Sequence, residues 1–306
     1  MSELARQLAQ SSPMIWLEVS PPKGIDMEPL LRQLQPLAGV IGAINLTDNS
    51  MGRAKLSSLV FGLTIKQRLG LPVVLNLSCR DRNLLAIKSD LLAAAAYAID
   101  GVVALKGDKL AAAGVNFNEL DSAGLLRVIG QINAQIVSEP SPSAADRTLY
   151  PGTVANPHRA NLTREVDLLA NKVEAGARFA ITQPIFDSEQ ALRFLDAIRH
   201  LPISPVVGLL PIKRAAMARY LTSNVRELKH VADFLHSYEG LPDEQVRRLT
   251  IAHNLKLIEL LRPHVAGFVI MSGGGPSLAI QLAIAAARNQ TPMAPGKFSG
   301  AQQREP

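Results

Sequence analysis

Short aliphatic runs alternate with longer stretches in which apolar residues recur every three or four positions. The runs are MIWLEVS from Met14, GVIGAINLTD from Gly39, PVVLNLSC from Pro72 and GVVALKGD from Gly101. They continue with GTVANP from Gly152, ARFAITQPI from Ala177, PVVGLLPI from Pro205 and AGFVIMSGGG from Ala266. Such continuous apolar runs suit strands buried on both faces, as in a parallel sheet. The stretches between them include RAKLSSLVFGLTIKQRLG from Arg53, NLLAIKSDLLAAAAYAID from Asn83, NLTREVDLLANKVEAGA from Asn161 and SEQALRFLDAIRH from Ser188. Each reads as a helix with one apolar face, and Asp187 with Ser188 are candidate caps for the last of them.

Eight strand–helix units in one chain predict an α/β fold, a single (β/α)8 TIM barrel, in preference to a doubly wound sheet. Two regions are irregular. Residues 109–151 hold a helix over Leu120–Ala134 and then the Pro/Ser-rich segment VSEPSPSAADRTLYPG. Residues 213–264 hold two or three extra helices between strands seven and eight. With no internal repeat and no linker, residues 1–291 are expected to form one catalytic barrel domain. Residues 292–306 are expected to be a flexible tail.

Composition narrows the class. The 306 residues are 47% hydrophobic but only 4% aromatic, so the core rests on Leu, Ile, Val and Ala. One cysteine, Cys79, excludes an internal disulfide framework and a cysteine-rich zinc site. No apolar run reaches the roughly 18 residues that span a bilayer, and the first residues lack a signal-peptide core. A cytoplasmic protein without membrane contact is therefore expected. The net charge of +6 invites a nucleic-acid reading. However, the Lys and Arg residues are scattered singly along helices, which describes a solvated surface, and no nucleic-acid partner is expected.

Polar residues gather where the apolar runs end. Reacting groups of such barrels sit at the C-terminal strand ends. That edge carries Glu18, Thr47 with Asp48, Asn76 with Ser78, Lys106 with Asp108, Asn156 and Gln183. Any one of these could simply cap the next helix; the whole set predicts a polar pocket at the barrel mouth. Glu18, inside WLEVS, carries the most information. A carboxylate in a strand facing the lumen is costly unless paired, Lys106 being one candidate partner, or protonated. Desolvation raises its pKa and fits it to deliver a proton near neutral pH. Asp108 follows Gly107, where a small residue allows close approach of a ligand to the backbone.

The segments LEVSPPKG, NLTDNS, NLSCRDRN, VVALKGD, ANPH, KVEAGARFAITQPIFD and GLLPI, spanning about Glu18 to Ile212, resemble those of methylenetetrahydrofolate reductases in the same order. The NLTDNS and CRDRN forms are most similar to the branch fused to a homocysteine methyltransferase. That resemblance implies a flavin-bearing barrel that passes hydride from NADH or NADPH to FAD. From FAD it passes to 5,10-methylenetetrahydrofolate, giving 5-methyltetrahydrofolate for methionine biosynthesis in one-carbon metabolism. It implies Glu18 as the proton donor that opens the imidazolidine ring, and Asp108 as the carboxylate that offsets the developing cation. Gln183, Asp108 and Thr47 would meet the folate. Thr47, Asp48, Ser50, Asn76, Lys106, Gly107, Asp108, Asn156, Glu165 and Lys172 would meet the flavin, with Lys106 and Lys172 near its pyrophosphate or ribityl chain.

The sequence also departs from that pattern. Asn76 stands where many members have His, and Lys106 where many have Arg or Thr, which exchanges a bidentate fork for a point charge. Ala215 lies near a position where some members stack an aromatic on the nicotinamide. Strand eight ends in MSGGGPS, and Gly273–Gly275 resemble a loop able to cradle an anion. Two alternatives follow: the same reaction fed by a partner electron-carrier protein, or a barrel that binds folate or a corrinoid without redox chemistry. A homo-oligomer is the expected assembly. No metal site is expected.

Overall fold

The computed structural model describes residues 3–10, 12–107, 119–139, 147–224, 228, 231–273 and 275–289. Asp108, Gly274 and the tail over 292–306 lie outside the described residues. Eight parallel strands form a closed barrel in sequence order, with β8 pairing back onto β1. They are β1 (Met14–Val19), β2 (Ala43–Leu46), β3 (Val73–Ser78), β4 (Gly101–Leu105), β5 (Tyr150–Ala155), β6 (Phe179–Thr182), β7 (Ser204–Leu209) and β8 (Gly267–Met271). Every predicted run contributes one strand.

The helices between them are α2 (Glu28–Leu34), α3 (Ser58–Leu69), α4 (Leu84–Ala96), α5 (Ser122–Ser138), α6 (Leu162–Glu174) and α7 (Ser188–Ile198). The expected insert between β7 and β8 holds α8 (Ala215–Asn224), α9 (Ala232–His236) and α10 (Asp243–Leu261), and α11 (Ser277–Arg288) closes the described fold. Side chains of Ser57, Asn83, Asp121, Asn161 and Asp187 accept the free first-turn amides of α3 to α7. These caps are distinct from the polar residues at the strand ends, which leaves the strand-end groups free for other work.

Strand alternation sorts the apolar residues into two cores. Ile15, Leu17, Ile44 and Leu46 face the helices. Trp16, Ala43, Val74, Val103, Phe179, Val206 and Val269 fill the lumen. A helix that the hydrophobic pattern did not announce, α1 (Glu3–Leu8), plugs the lower end with Leu4 and Leu8. The lumen mixes very large and very small residues. Phe179 stacks on Tyr150 at 5.8 Å and meets the edge of Trp16 at 5.5 Å. Gly152 makes room for it, because a Cβ there would lie 2.2 Å from the Phe179 ring. Replacing Gly152 by Val should therefore cost about 1–3 kcal/mol through overpacking. The check is the urea midpoint, and a midpoint equal to that of the parent would refute this account of the lumen.

Candidate active site

Immediately above the aromatic floor the lumen turns polar. Glu18 follows Trp16 by two residues and so faces inward as well. In register it lies beside Asn45 of β2 and Met271 of β8. Asn45 is buried and donates its amide to Asn76 Oδ1 at 2.9 Å and to the Val74 carbonyl at 3.3 Å. One layer higher, Ser20 and Thr47 share a hydroxyl–hydroxyl hydrogen bond of 2.7 Å that ties the ends of β1 and β2 together.

No hydrogen bond or ion pair among the described residues holds the Glu18 carboxyl. Enclosure by protein pushes its pKa from the ordinary 4.5 to about 7, the one opposing influence being the ammonium group of Lys55. The protonated and ionised forms are therefore both populated near neutral pH, which is what a general acid requires. The pairing of Glu18 with Lys106 is not formed; Lys106 is exposed at the end of β4.

Lys55 was not legible in the sequence, being 37 positions from Glu18 and in no pattern with it. It lies in the loop between β2 and α3, where its amide donates to Asn49 Oδ1 at 3.0 Å and its ammonium to Ser50 Oγ at 3.4 Å. Asn49 occupies the left-handed region, with φ of 40°, a conformation that Asn tolerates better than most residues. Arg82 was likewise missed, although it lies inside CRDRN. It grips Asp48 through two guanidinium contacts of 2.6 and 3.1 Å, and the Ser78 amide donates to the same carboxylate at 2.9 Å. The NLTDNS and CRDRN segments thus meet as one ion pair, with the Asp48 side chain only 2% exposed.

Other expected site residues divide into two groups. Glu165 and Lys172 are turned toward the chain's own backbone. Glu165 accepts the Asn156 amide at 2.7 Å and Arg159 Nε at 2.6 Å, while Lys172 donates to the Val154 carbonyl at 2.7 Å. Gly107 adopts a φ of 86°, and a Cβ there would lie 2.3 Å from Ser78 Oγ, so packing of the chain itself demands glycine. By contrast, the Lys106 ammonium and the side-chain amides of Asn156 and Gln183 have no partner among the described residues for their donor groups. They stand at the ends of β4, β5 and β6. A cation and two amides at neighbouring strand ends are available to a polar or anionic ligand.

The fold and this mouth define a (β/α)8-barrel enzyme with a part-buried acid in its lumen. The chain matches the family model for methylenetetrahydrofolate reductase over residues 3–272 and belongs to that family. It is 26% identical over 260 residues to the 5,10-methylenetetrahydrofolate reductase of Salmonella typhimurium, covering 78% of each chain. It is 24% identical over 247 residues to the Escherichia coli enzyme of the same name, again covering 78% of each. Among solved structures, a Clostridium thermocellum protein that binds two copies of 5-methyl-5,6,7,8-tetrahydrofolic acid shares the fold, with a TM-score of 0.62 and 16% identity. That similarity covers 94% of this chain and 98% of the other.

Among the described residues, no helix is long and apolar enough to cross a membrane, and no cluster of potential metal ligands occurs. The acid in the lumen has a consequence for stability. A carboxyl whose folded pKa exceeds its unfolded value contributes stability that is complete below about pH 4.5 and is lost as the pH rises through 7. Glu18→Gln should therefore leave stability unchanged at pH 4 and raise it by up to about 3 kcal/mol at pH 8. Urea unfolding at the two pH values measures this; equal differences at both would show that Glu18 is not desolvated.

Proposed function

We propose that the protein catalyses the interconversion of 5,10-methylenetetrahydrofolate and 5-methyltetrahydrofolate with FAD as its bound redox group. The observation that carries this reading is Glu18: an inward, unpaired carboxyl poised near neutrality in a chain of this family. When bound, the flavin supplies hydride transfer. The chain's own residues do the rest.

In the reductive direction the protonated carboxyl of Glu18 gives its proton to a ring nitrogen of the folate, the carbon–nitrogen bond opens, and the methylene carbon becomes electrophilic. Asp108, whose side chain is not among those described, is assigned the matching role of a carboxylate that offsets the positive charge on that carbon. Thr47, already oriented by Ser20, and Gln183 bind and orient the pterin. Asn76, Lys106, Gly107 and Asn156 would hold the flavin ring and its phosphates. Asp48, Ser50, Glu165 and Lys172 serve the same site through the loops they pin, with Ser50 anchoring Lys55 and Glu165 fixing the backbone of Asn156. NADH or NADPH is the assigned electron donor.

A second reading concerns only the electron source. Ala215 opens α8 with no ring to stack on a nicotinamide, so a partner electron carrier is the alternative donor. The experiment is an absorbance spectrum of the purified protein followed by steady-state turnover. Flavin bands should bleach on adding NADH, NADPH or methyltetrahydrofolate, and a band that only the folate bleaches favours the carrier. Glu18→Gln should lower turnover by about 10²–10⁴-fold with the flavin still bound. Undiminished turnover in that variant, or a colourless protein, would overturn the reading.

A further inference from the structure

Resting on the reading of Asn76 as a flavin contact, we infer that Asn45 is a positioning residue that sets which end of the Asn76 carboxamide faces the mouth. Asn76 then meets a bound ring as a hydrogen-bond donor. The contact behind this is fixed by the sheet. Asn45 of β2 lies in register with Val74 of β3. Its amide nitrogen is 3.3 Å from the Val74 carbonyl oxygen and 2.9 Å from Asn76 Oδ1, two residues further along β3.

A backbone carbonyl can only accept. The end of Asn45 that faces Val74 must therefore be the nitrogen, so the main chain dictates how this amide is turned. Its second hydrogen is left for Asn76, and only an oxygen can receive it. Asn76 Oδ1 is thereby held toward β2, and the Asn76 amide nitrogen is turned away from it. No acceptor among the described residues competes for that nitrogen. In register Asn76 stands beside Val103 of β4, which is apolar. The Asp48 carboxylate is already taken by Arg82 and by the Ser78 amide.

Asn45 itself gains little from this arrangement. It is 1% exposed, and its own carbonyl oxygen has no partner among the described residues. A buried, unpaired carbonyl is destabilising, and an apolar side chain of the same shape would avoid it. An amide at the level of Glu18 is therefore explained by what it donates, and Asn76 is the side chain that receives it. The result is a chemical preference. With its oxygen turned to Asn45, Asn76 offers the mouth N–H groups. These suit a carbonyl oxygen or an unprotonated ring nitrogen. They disfavour an N–H at the same point, because two donors face to face leave both unpaired.

Side-chain amide exchange in full-length protein tests this. The 15N amide signals of Asn45 and Asn76 are identified with Asn45→Leu and Asn76→Leu and followed by NMR before and after FAD is added. Without FAD, the Asn45 hydrogens should exchange at least about tenfold more slowly than those of Asn76. FAD should slow exchange at Asn76 and leave Asn45 unchanged. In Asn45→Leu the FAD dissociation constant, read from flavin fluorescence, should rise about five- to tenfold. In the Asn76→Leu background the same Asn45→Leu change should have no further effect, because Asn45 acts through Asn76. A further loss of affinity in that background would show a general structural role and overturn the inference. So would Asn76 hydrogens as slow as those of Asn45 in the FAD-free parent, a measurement that needs no variant to fold. Protected Asn45 hydrogens and exposed Asn76 hydrogens that FAD leaves unmoved would support the orientation and overturn instead the assignment of Asn76 to the flavin.

Discussion

Closing eight parallel strands into a ring leaves a lumen that only side chains can fill, and the rest of this structure follows from how it is filled. The lower half is dry: α1 seals it, and Trp16, Phe179 and Tyr150 pack against positions kept small at Ala43 and Gly152. The aromatic floor excludes water from beneath Glu18. The same packing that stabilises the barrel therefore raises the affinity of the acid for its proton. Stability and chemistry meet in a single layer of the lumen, between Trp16 and Thr47.

Above that layer the structure manages charge by tethering. The ion pair of Asp48 with Arg82 joins the loops after β2 and β3, and Glu165 with Arg159 steadies the loop after β5. In both pairs the carboxylate is buried while the arginine is partly exposed, so removing the arginine, which strands a buried carboxylate, costs more than the pair contributes in net stability. Their value here is geometric. They hold the loops after β2, β3 and β5 in one shape.

The barrel was legible because its signal is repeated: eight apolar runs, each followed by a helical stretch, leave few other architectures. Glu18 was legible for a local reason, since a carboxylate between Leu17 and Val19 contradicts its surroundings. Lys55 and Arg82 were not, since both act across gaps of more than thirty positions, and such long-range pairing leaves no periodicity. Gly107 offers room for a ligand in the sequence, and its φ and the crowding with Ser78 add that the chain itself requires glycine there. Glu165 and Lys172 were visible as charged residues on α6. Which way they turned depended on carbonyl and amide groups of β5 and the loop after it, which a one-dimensional pattern does not locate. The α1 plug went unnoticed because six helical residues are too few to establish a period.

Trp16 is the sole tryptophan of the chain, and it sits directly beneath the acid, in edge contact with Phe179. All indole emission from this protein therefore originates in the lumen, one layer from the Glu18 carboxyl. The molecule carries its own optical reporter: a single indole on the same face of β1 as the acid, two residues away. That reporter needs no label, because the residue that builds the floor also lights it.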